Sequence, residues 1–174
     1  MNESQSRARI GPATALCIAA VLAVAHFGTN QVDAQEQANA PAPCGPAGDL
    51  SAEINRNVAA NSRCFELRMY TADPSRVGVG DFNGGIDELH QRFREEEVAL
   101  FEKHGAEIIA VWQDLASPNT LIWMLAYRDR AHRDQVWADF AEDPEWVALR
   151  LKYFVPLERP NVYMMSATDY SKLK

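Results

Sequence analysis

The hydrophobic pattern of the chain changes period between residues 65 and 104. Residues 65–71, FELRMYT, alternate strictly, which predicts a half-buried strand with a polar second face. From Ile86 to Phe101 the apolar positions recur at helical spacing, which predicts an amphipathic helix that ends near His104. A glycine after the helix and a histidine in its last turn are typical of a helix C-terminus. We therefore prefer a structural role for His104 to catalysis or metal binding.

Two apolar runs follow, rich in β-branched and aromatic residues. They are residues 106–114, AEIIAVWQD, and 120–127, TLIWMLAY, and the turn-rich residues between them suit a hairpin. Asp129 can cap a second helix, which an Asp-Pro pair at Asp143 restarts. Residues 161–167 form a last strand. The order β-α-β-β-α-β predicts an α+β fold of the ferredoxin-like type, with both helices on one face of an antiparallel sheet.

The two central runs are apolar at consecutive positions, so both of their faces need cover. The helices of a ferredoxin-like domain cover only one face of its sheet. The natural cover for the other face is a second copy of the chain. Two such sheets packed face to face form a dimeric α+β barrel, and the sequence therefore predicts a homodimer.

Several segments together resemble the NIPSNAP family in order and approximate spacing. They are the Glu-x-Arg-x-Tyr of FELRMYT, the His-Gly that ends LFEKHG, the tryptophan strands AVW and LIWMLAY, and DPEW at residues 143–146. The resemblance covers residues 65–146 well and implies the dimeric α+β-barrel fold. It implies little about activity, since the family has no generally established reaction. Some eukaryotic members are linked to mitochondria and vesicle traffic. This sequence departs from the family at residues 72–85, a glycine-rich loop that looks longer than the family's short connection between the first strand and the first helix.

The first 34 residues have the features of a secretory signal peptide. Arg7 and Arg9 form a positive region, residues 13–25 are apolar, and a small-residue cleavage site ends at Ala34. A retained membrane anchor is the weaker alternative, because the apolar stretch is shorter than the ~20 residues that span a bilayer. We therefore expect an exported protein, periplasmic or secreted, with no stable membrane anchor after cleavage. The partners of intracellular relatives are not carried over to it.

The rest of the chain divides into two parts. Residues 35–63 are rich in alanine and proline at their start, which predicts a linker with a short helix in its second half. Residues 64–174 are expected to form the NIPSNAP-like α+β-barrel domain.

Charge and cysteine content narrow the function classes. The net charge is −7, and no basic stripe is present, so nucleic acid and anionic membrane surfaces are not expected partners. Cleavage of the leader would remove Cys17 and leave Cys44 and Cys64. An even count in an oxidising compartment favours a disulfide between these two. In a chain that stayed in the cytoplasm, two free thiols are expected instead.

The first strand carries the main candidate site. Three polar side chains share one of its faces: Glu66, Arg68 and Tyr70. We expect Phe65, Leu67 and Met69 to belong to the core and the polar face to line the barrel interior. One interpretation is an internal Glu–Arg salt bridge that stabilises the dimer. The other is the polar wall of a ligand site near Trp112 or Trp123, in which the arginine binds a carboxylate and the tyrosine donates a proton.

Glu97 is a second candidate, because it lies inside the apolar stripe of the first helix. A buried carboxyl there could have a raised pKa and act as an acid or base. The alternative is that it pairs with an arginine such as Arg94 or Arg150. We expect no metal, since the spacing of His90 and Glu97 is too long to hold one ion and no His-x-x-x-His pair occurs.

The other motifs add no cofactor. The segment GVGDFNGG lacks the lysine and the spacing of a phosphate loop and is interpreted as a loop over the barrel mouth. We expect an exported homodimeric barrel protein that binds a small apolar or amphipathic molecule, with no cofactor and no established reaction. The alternative is a small enzyme of the barrel superfamily, either a cofactor-free monooxygenase or a haem-dependent one. A third hypothesis is a purely structural dimer.

Overall fold

The protein folds as a four-stranded antiparallel sheet with helices on one face. The computed structural model describes residues 43–174, and its strands lie in the order β2-β3-β1-β4. They are β1 (Cys64–Thr71), β2 (Glu107–Gln113), β3 (Thr120–Tyr127) and β4 (Asn161–Ser166). The order of elements confirms the predicted ferredoxin-like α+β fold. The predicted leader, its cleavage site and Cys17 lie outside the described residues.

Two helical segments connect the strands. The first consists of α1 (Ile86–Arg92), a π-helical turn (Phe93–Glu97) and α2 (Val98–Lys103). The second consists of α3 (Arg130–Glu142) and α4 (Pro144–Lys152). No helix within residues 43–174 is long and apolar enough to cross a membrane.

The helix ends follow the capping signals of the sequence. Asp129 caps α3 and Asp143 caps α4, each through a side-chain oxygen that accepts a backbone N–H of the first turn at 2.8 Å. Pro144 occupies the first turn of α4. α2 ends at Lys103 with His104 as its C-cap, and Gly105, the next residue, adopts a φ of +97°, which a glycine adopts without a Cβ penalty. These features confirm the predicted boundaries.

The main core lies between the sheet and the helices. Its largest fully buried apolar side chains are Trp123, Phe101, Phe140, Leu89, Leu121 and Leu125. The rings of Phe101 and Phe140 stack with centroids 3.8 Å apart, and Phe93 meets Trp123 edge-on at 5.0 Å. Each such side chain stabilises the fold by about 1.5–3 kcal/mol through burial.

The predicted faces of β1 are the wrong way round. Glu66 lies opposite Leu125 and Arg68 lies opposite Trp123, so the polar residues share the helix-covered face with the core of β3. The face without helices carries Phe65, Leu67 and Met69, which pair with Ala126, Met124 and Ile122. Strict alternation separates two faces of a strand but does not show which one is covered. Here helix side chains supply partners for the buried charges, which makes the polar face the inner one.

The face without helices, which we call the open face, is apolar on all four strands except at its edges, where Glu107 lies opposite Ala126 and Asn161 lies opposite Met69. It comprises Phe65, Leu67, Met69, Ile109, Trp112, Ile122, Met124, Ala126, Tyr163 and Met165. The C-terminal residues cover one end of it and leave a recess of about 210 Å³ there. Further along, Trp112 is 46% exposed and Tyr163 is 54% exposed. Such an extended apolar surface is unusual for a protein that works as a monomer.

Residues 43–63 pack on the domain, which corrects the prediction of a linker for this part of residues 35–63. Cys44 is buried and forms the predicted disulfide with Cys64, with the two Cα atoms 4.7 Å apart. The backbone of Ala59 donates to Ala167 at 2.9 Å. Instead of the predicted short helix, the segment has two 3₁₀ turns, Ala47–Asp49 and Asn55–Asn57. Residues of low hydrophobicity are held in place here by a covalent bond and by backbone pairing.

The glycine-rich residues 72–85 contact the segment that follows α4. The backbone amide of Asp73 donates to Pro156 at 2.8 Å, and Asn83 exchanges two hydrogen bonds with the backbone of Phe154. The rings of Phe82 and Phe154 lie 4.7 Å apart. Both ends of the loop are therefore attached to the domain.

Candidate functional site

Charged side chains lie between β1 and the helices, where a core is normally apolar. The group, which we call the buried polar cluster, comprises Glu66, Arg68, Tyr70, Arg92, Glu97, Tyr127, Arg133 and Trp137. A buried charge without a partner destabilises a protein by several kcal/mol. The partners of each group therefore show which members have a structural role and which have spare hydrogen-bonding capacity.

Glu66 is fully buried and fully partnered. Arg133 donates from Nε and Nη2 to its two carboxylate oxygens, each at 2.9 Å, and Arg68 donates from Nη1 at 2.5 Å. Trp137 Nε1 and the Tyr127 hydroxyl donate at 3.0 and 3.1 Å. Burial alone would raise the pKa of Glu66, but these donors and the two guanidinium charges lower it below the usual 4.5. Glu66 is therefore an ionised anchor between the sheet and α3.

Arg68 has only part of its donors engaged. Its guanidinium carbon lies 4.3 Å from the ring centre of Trp137, 5.4 Å from that of Tyr70 and 6.0 Å from that of Trp123. Nη1 bonds Glu66, whereas the buried Nε has no partner among residues 43–174. The Arg68 side chain as a whole is 14% exposed, although its Nε is buried.

Trp123 adds a second N–H group without a partner. Its side chain is fully buried, and within the described part of the chain nothing accepts from its Nε1. Trp123 lies directly opposite Arg68 in the β1–β3 pairing. Leaving a buried donor unsatisfied costs about 1–3 kcal/mol, and native proteins keep few such groups.

Glu97 and Arg92 form a second buried ion pair. Arg92 Nε donates to Glu97 Oε2 at 2.7 Å, and Arg92 Nη1 reaches the backbone oxygen of Tyr153 at 3.4 Å. The pair spans five residues, and the i→i+5 geometry of the π-helical turn brings such residues to the same side of the helix. Burial raises the pKa of Glu97, although Arg92 and Arg68 act to lower it. The predicted partners Arg94 and Arg150 do not bond Glu97.

Tyr70 completes the cluster between the two ion pairs. Burial raises the pKa of its hydroxyl to about 12, although the nearby charge of Arg68 acts to lower it. The hydroxyl therefore stays protonated at neutral pH and is a hydrogen-bonding group, not a base.

The structure brings together four of the five predicted ligand-binding residues. Glu66, Arg68, Tyr70 and Trp123 all lie on the helix-covered face. Trp112 does not join them, because a β-bulge in β2 places it opposite Ile122 on the open face. The bulge changes which positions of β2 face the helices, and the hydrophobic pattern of an almost uniformly apolar strand does not show it.

The histidine singled out by the sequence has a structural role. His104 Nε2 lies 2.7 Å from Asp143 Oδ2, and Lys103 Nζ donates to the same oxygen at 2.9 Å. These bonds lower the pKa of Asp143 and connect the end of α2 to the start of α4. Within residues 43–174 no group of three or more His, Cys, Asp or Glu side chains is placed to hold a metal ion.

Sequence reasoning missed the partners that the helices contribute. Arg133 and Trp137 of α3 donate hydrogen bonds to Glu66, and so does Tyr127 at the end of β3. Arg92 donates to Glu97. Arg133 and Trp137 stand four residues apart, which places both on one face of a helix. This four-residue spacing of two side-chain donors was the signal in the sequence that could have indicated an acidic partner on the sheet.

Comparisons with known proteins agree on the family and the fold. The NIPSNAP family profile matches residues 65–172. A NIPSNAP family protein of unknown function from Agrobacterium tumefaciens has a TM-score of 0.57 at 17% identity, covering 68% of this chain and 99% of that one. A second from the same organism has a TM-score of 0.54 at 22% identity, covering 64% and 99%. An uncharacterised NIPSNAP-like domain protein from Burkholderia xenovorans has a TM-score of 0.52 at 20% identity, covering 64% and 90%. No curated protein matches the chain.

Proposed function

The chain belongs to the NIPSNAP family, and from that premise we propose that it is a homodimeric protein that holds a small amphipathic molecule against Arg68 and Trp123. Family membership supplies the fold and names no reaction, so the function is argued from the chain's own residues. The observation that carries the proposal is that Arg68 and Trp123, which lie opposite each other in the β1–β3 pairing, each keep a buried N–H group, Nε and Nε1, with no partner among the described residues.

The contrast with Glu66 supports a ligand rather than a purely structural cluster. Glu66 accepts five hydrogen bonds, as expected for an ion pair that only stabilises the fold. A structural cluster of the same quality would also satisfy Arg68 and Trp123. Donors that are held in place but left free are typical of a binding site, where the ligand supplies the acceptor.

The edge of the sheet offers a route from solvent to this position. Val162 of β4 lies opposite Arg68 and is 40% exposed, although it is on the helix-covered face. The side chain of Arg133, which bonds Glu66 in the same cluster, is 20% exposed. A molecule that enters beside β4 meets the guanidinium of Arg68 first. The three aromatic rings around that guanidinium can then cover an apolar body.

The apolar open face supports the dimer. Leu67 and Met124 pair at the centre of this face on the two inner strands, and neither is covered by a helix. A second copy packed on the same face would remove both sheets from water, as in a dimeric α+β barrel. The binding position lies on the opposite side of each sheet, so both copies of a dimer would keep it.

Export through the N-terminal leader belongs to the same proposal. It is supported by the Cys44–Cys64 disulfide, which is typical of proteins that work outside the cytoplasm. The pattern of residues 1–34 in the sequence points the same way.

The test is whether a small molecule co-purifies with the native protein and depends on Arg68. Native mass spectrometry should find one bound species on wild type, and on the control Arg159→Met, which removes an exposed arginine elsewhere. Arg68→Met should remain folded, because Arg133 still pairs with Glu66 through two bonds. It should carry no such molecule. A wild-type protein without any bound molecule, or an Arg68→Met protein that retains it, would contradict the proposal.

A small enzyme of the barrel superfamily is the second candidate, and Glu97 is the observation that favours it. Its carboxyl is buried, its pKa is raised, and it lies near Arg68 and Tyr70. A carboxyl of this kind can exchange a proton with a bound molecule. Oxygen uptake with aromatic substrates, lost in Glu97→Gln, would support a cofactor-free monooxygenase. Binding without turnover in both proteins would reject it.

A further inference from the structure

We propose that the molecule held at Arg68 and Trp123 is a monocarboxylate, whose oxygens accept hydrogen bonds from Arg68 Nε and Trp123 Nε1. This inference rests on the proposed binding function and adds the chemical class of the ligand. It follows from the kind of atom left without a partner, the charge around it and the surface beside it.

Both unpartnered groups are donors. Within residues 43–174, the buried side-chain nitrogen and oxygen atoms without a hydrogen bond are Arg68 Nε and Trp123 Nε1, and neither can accept. A ligand must therefore bring acceptors, and one donor on each of two paired residues suits a group with two oxygens. Arginine binds carboxylates through paired N–H groups, and Nη1 of Arg68 is already used by Glu66. The Arg68 side chain also hydrogen-bonds Tyr70, so Nε is the buried guanidinium donor that remains for a second carboxylate.

The charges of the buried polar cluster leave room for one anion. Three guanidinium groups, of Arg68, Arg92 and Arg133, face two carboxyls, Glu66 and Glu97. Arg133 also bonds Asp134 at the surface, where the Asp134 side chain is 47% exposed and screened by water. Inside the protein, with Glu97 ionised in its pair with Arg92, a bound carboxylate would give three anions and three cations. A doubly charged phosphate or sulfate would exceed that balance, and a neutral ligand would leave it unmet.

The second buried carboxyl, that of Glu97, does not accept a hydrogen bond from Arg68 Nε. Glu97 bonds Arg92 at 2.7 Å, and its charge attracts Arg68 only from a distance. Glu97 and a bound carboxylate would therefore both be attracted to the guanidinium of Arg68 and would repel each other. We therefore expect that removing the charge of Glu97 strengthens the binding of an anion. A variant that failed to fold would bind more weakly, so the two outcomes can be told apart.

Titration with matched probes tests the ligand class. Hexanoate and 3-phenylpropionate are compared with their primary amides by calorimetry on the full, disulfide-bonded protein. The carboxylates should bind wild type about tenfold or more tightly than the amides, the difference expected for a charge-assisted hydrogen bond. Arg68→Met and Trp123→Phe should each lose this preference, and Arg159→Met should keep it. Glu97→Gln should bind the carboxylates several-fold more tightly than wild type.

The outcomes separate this inference from the proposed function. Equal binding of amide and carboxylate to wild type would overturn the ligand class and leave binding at Arg68 intact. Unchanged binding in both Arg68→Met and Trp123→Phe would mean that buried water serves these donors, and the site itself would be wrong. Absence of binding by all four probes, with no co-purifying acid found by mass spectrometry, would reject the inference. A co-purifying neutral molecule would reject the carboxylate alone.

Discussion

Two glutamates of the buried polar cluster show how the surroundings of a residue decide its charge. Glu66 and Glu97 are both buried, yet the pKa of Glu66 is lowered and that of Glu97 is raised. Burial opposes ionisation in both. Glu66 overcomes it with five hydrogen bonds and two guanidinium charges, whereas Glu97 has one close donor, Arg92. The number of donors, not burial, therefore separates the structural carboxylate from the one with acid–base potential.

These opposite shifts predict two separate pH windows for stability. The ionised form of Glu66 stabilises the fold above the usual pKa of 4.5, and this contribution is lost as pH falls through its lower folded pKa. Glu97 binds its proton more tightly in the fold. Its contribution is therefore present below 4.5 and is lost as pH rises through its raised folded pKa.

Urea unfolding of variants across pH ~3 to ~8 measures both contributions. Glu66→Gln should flatten the loss of stability on the acid side, and should lower stability at neutral pH by ~3 kcal/mol because Arg133 and Arg68 lose their anion. Glu97→Gln should flatten the decline above 4.5 and keep its bond to Arg92. Identical pH profiles for wild type and both variants would show that neither carboxyl titrates differently in the fold.

At the scale of elements, the strands and helix ends followed from local signals and the internal irregularities did not. Alternation, helical spacing and the Asp129 and Asp143 caps were sufficient for β1, α3 and α4, because each depends on residues close in sequence. The π-helical turn and the β2 bulge depend on how distant residues pack. For that reason the prediction that Glu97 pairs with an arginine was confirmed, but the arginines named for it, Arg94 and Arg150, and the predicted position of Trp112 were wrong.

The segment of residues 43–63 carries a prediction at the same scale. The Cys44–Cys64 disulfide attaches this segment to the start of β1, and closing a loop of sequence separation 20 should stabilise the fold by about 3 kcal/mol. Peptide mapping of the non-reduced protein should recover the linked cysteines. Urea unfolding with and without a reductant should show the difference, and Cys44→Ser should behave like the reduced protein with or without reductant. Equal stability of oxidised and reduced wild type would contradict the proposed contribution.

At the scale of the whole molecule, the sequence predicted that both faces of the central strands are apolar, which the structure shows for β3, but it placed the polar face of β1 on the wrong side. The helices cover the face that carries the charged cluster, and the open face is the more uniformly apolar one. Burying charges beneath the helices is possible because α3 supplies Arg133 and Trp137 as partners for Glu66. Those partners are distant in sequence, so the alternation of β1 alone could not reveal them.

The homodimer is the prediction that belongs to this scale. Leu67 and Met124 are paired at the centre of the open face, so a carboxylate at either position would have to be buried in the dimer without a partner. Light scattering should give a dimer mass for wild type at micromolar concentration and a monomer mass for Leu67→Glu and Met124→Glu. Leu115→Glu makes the same chemical change at a side chain that is 97% exposed in the β2–β3 connection, and it should remain a dimer. Circular dichroism distinguishes dissociation from unfolding. A wild-type monomer, or folded dimers of both central variants, would show that this face is not where two copies meet, and the apolar surface would then need a different partner.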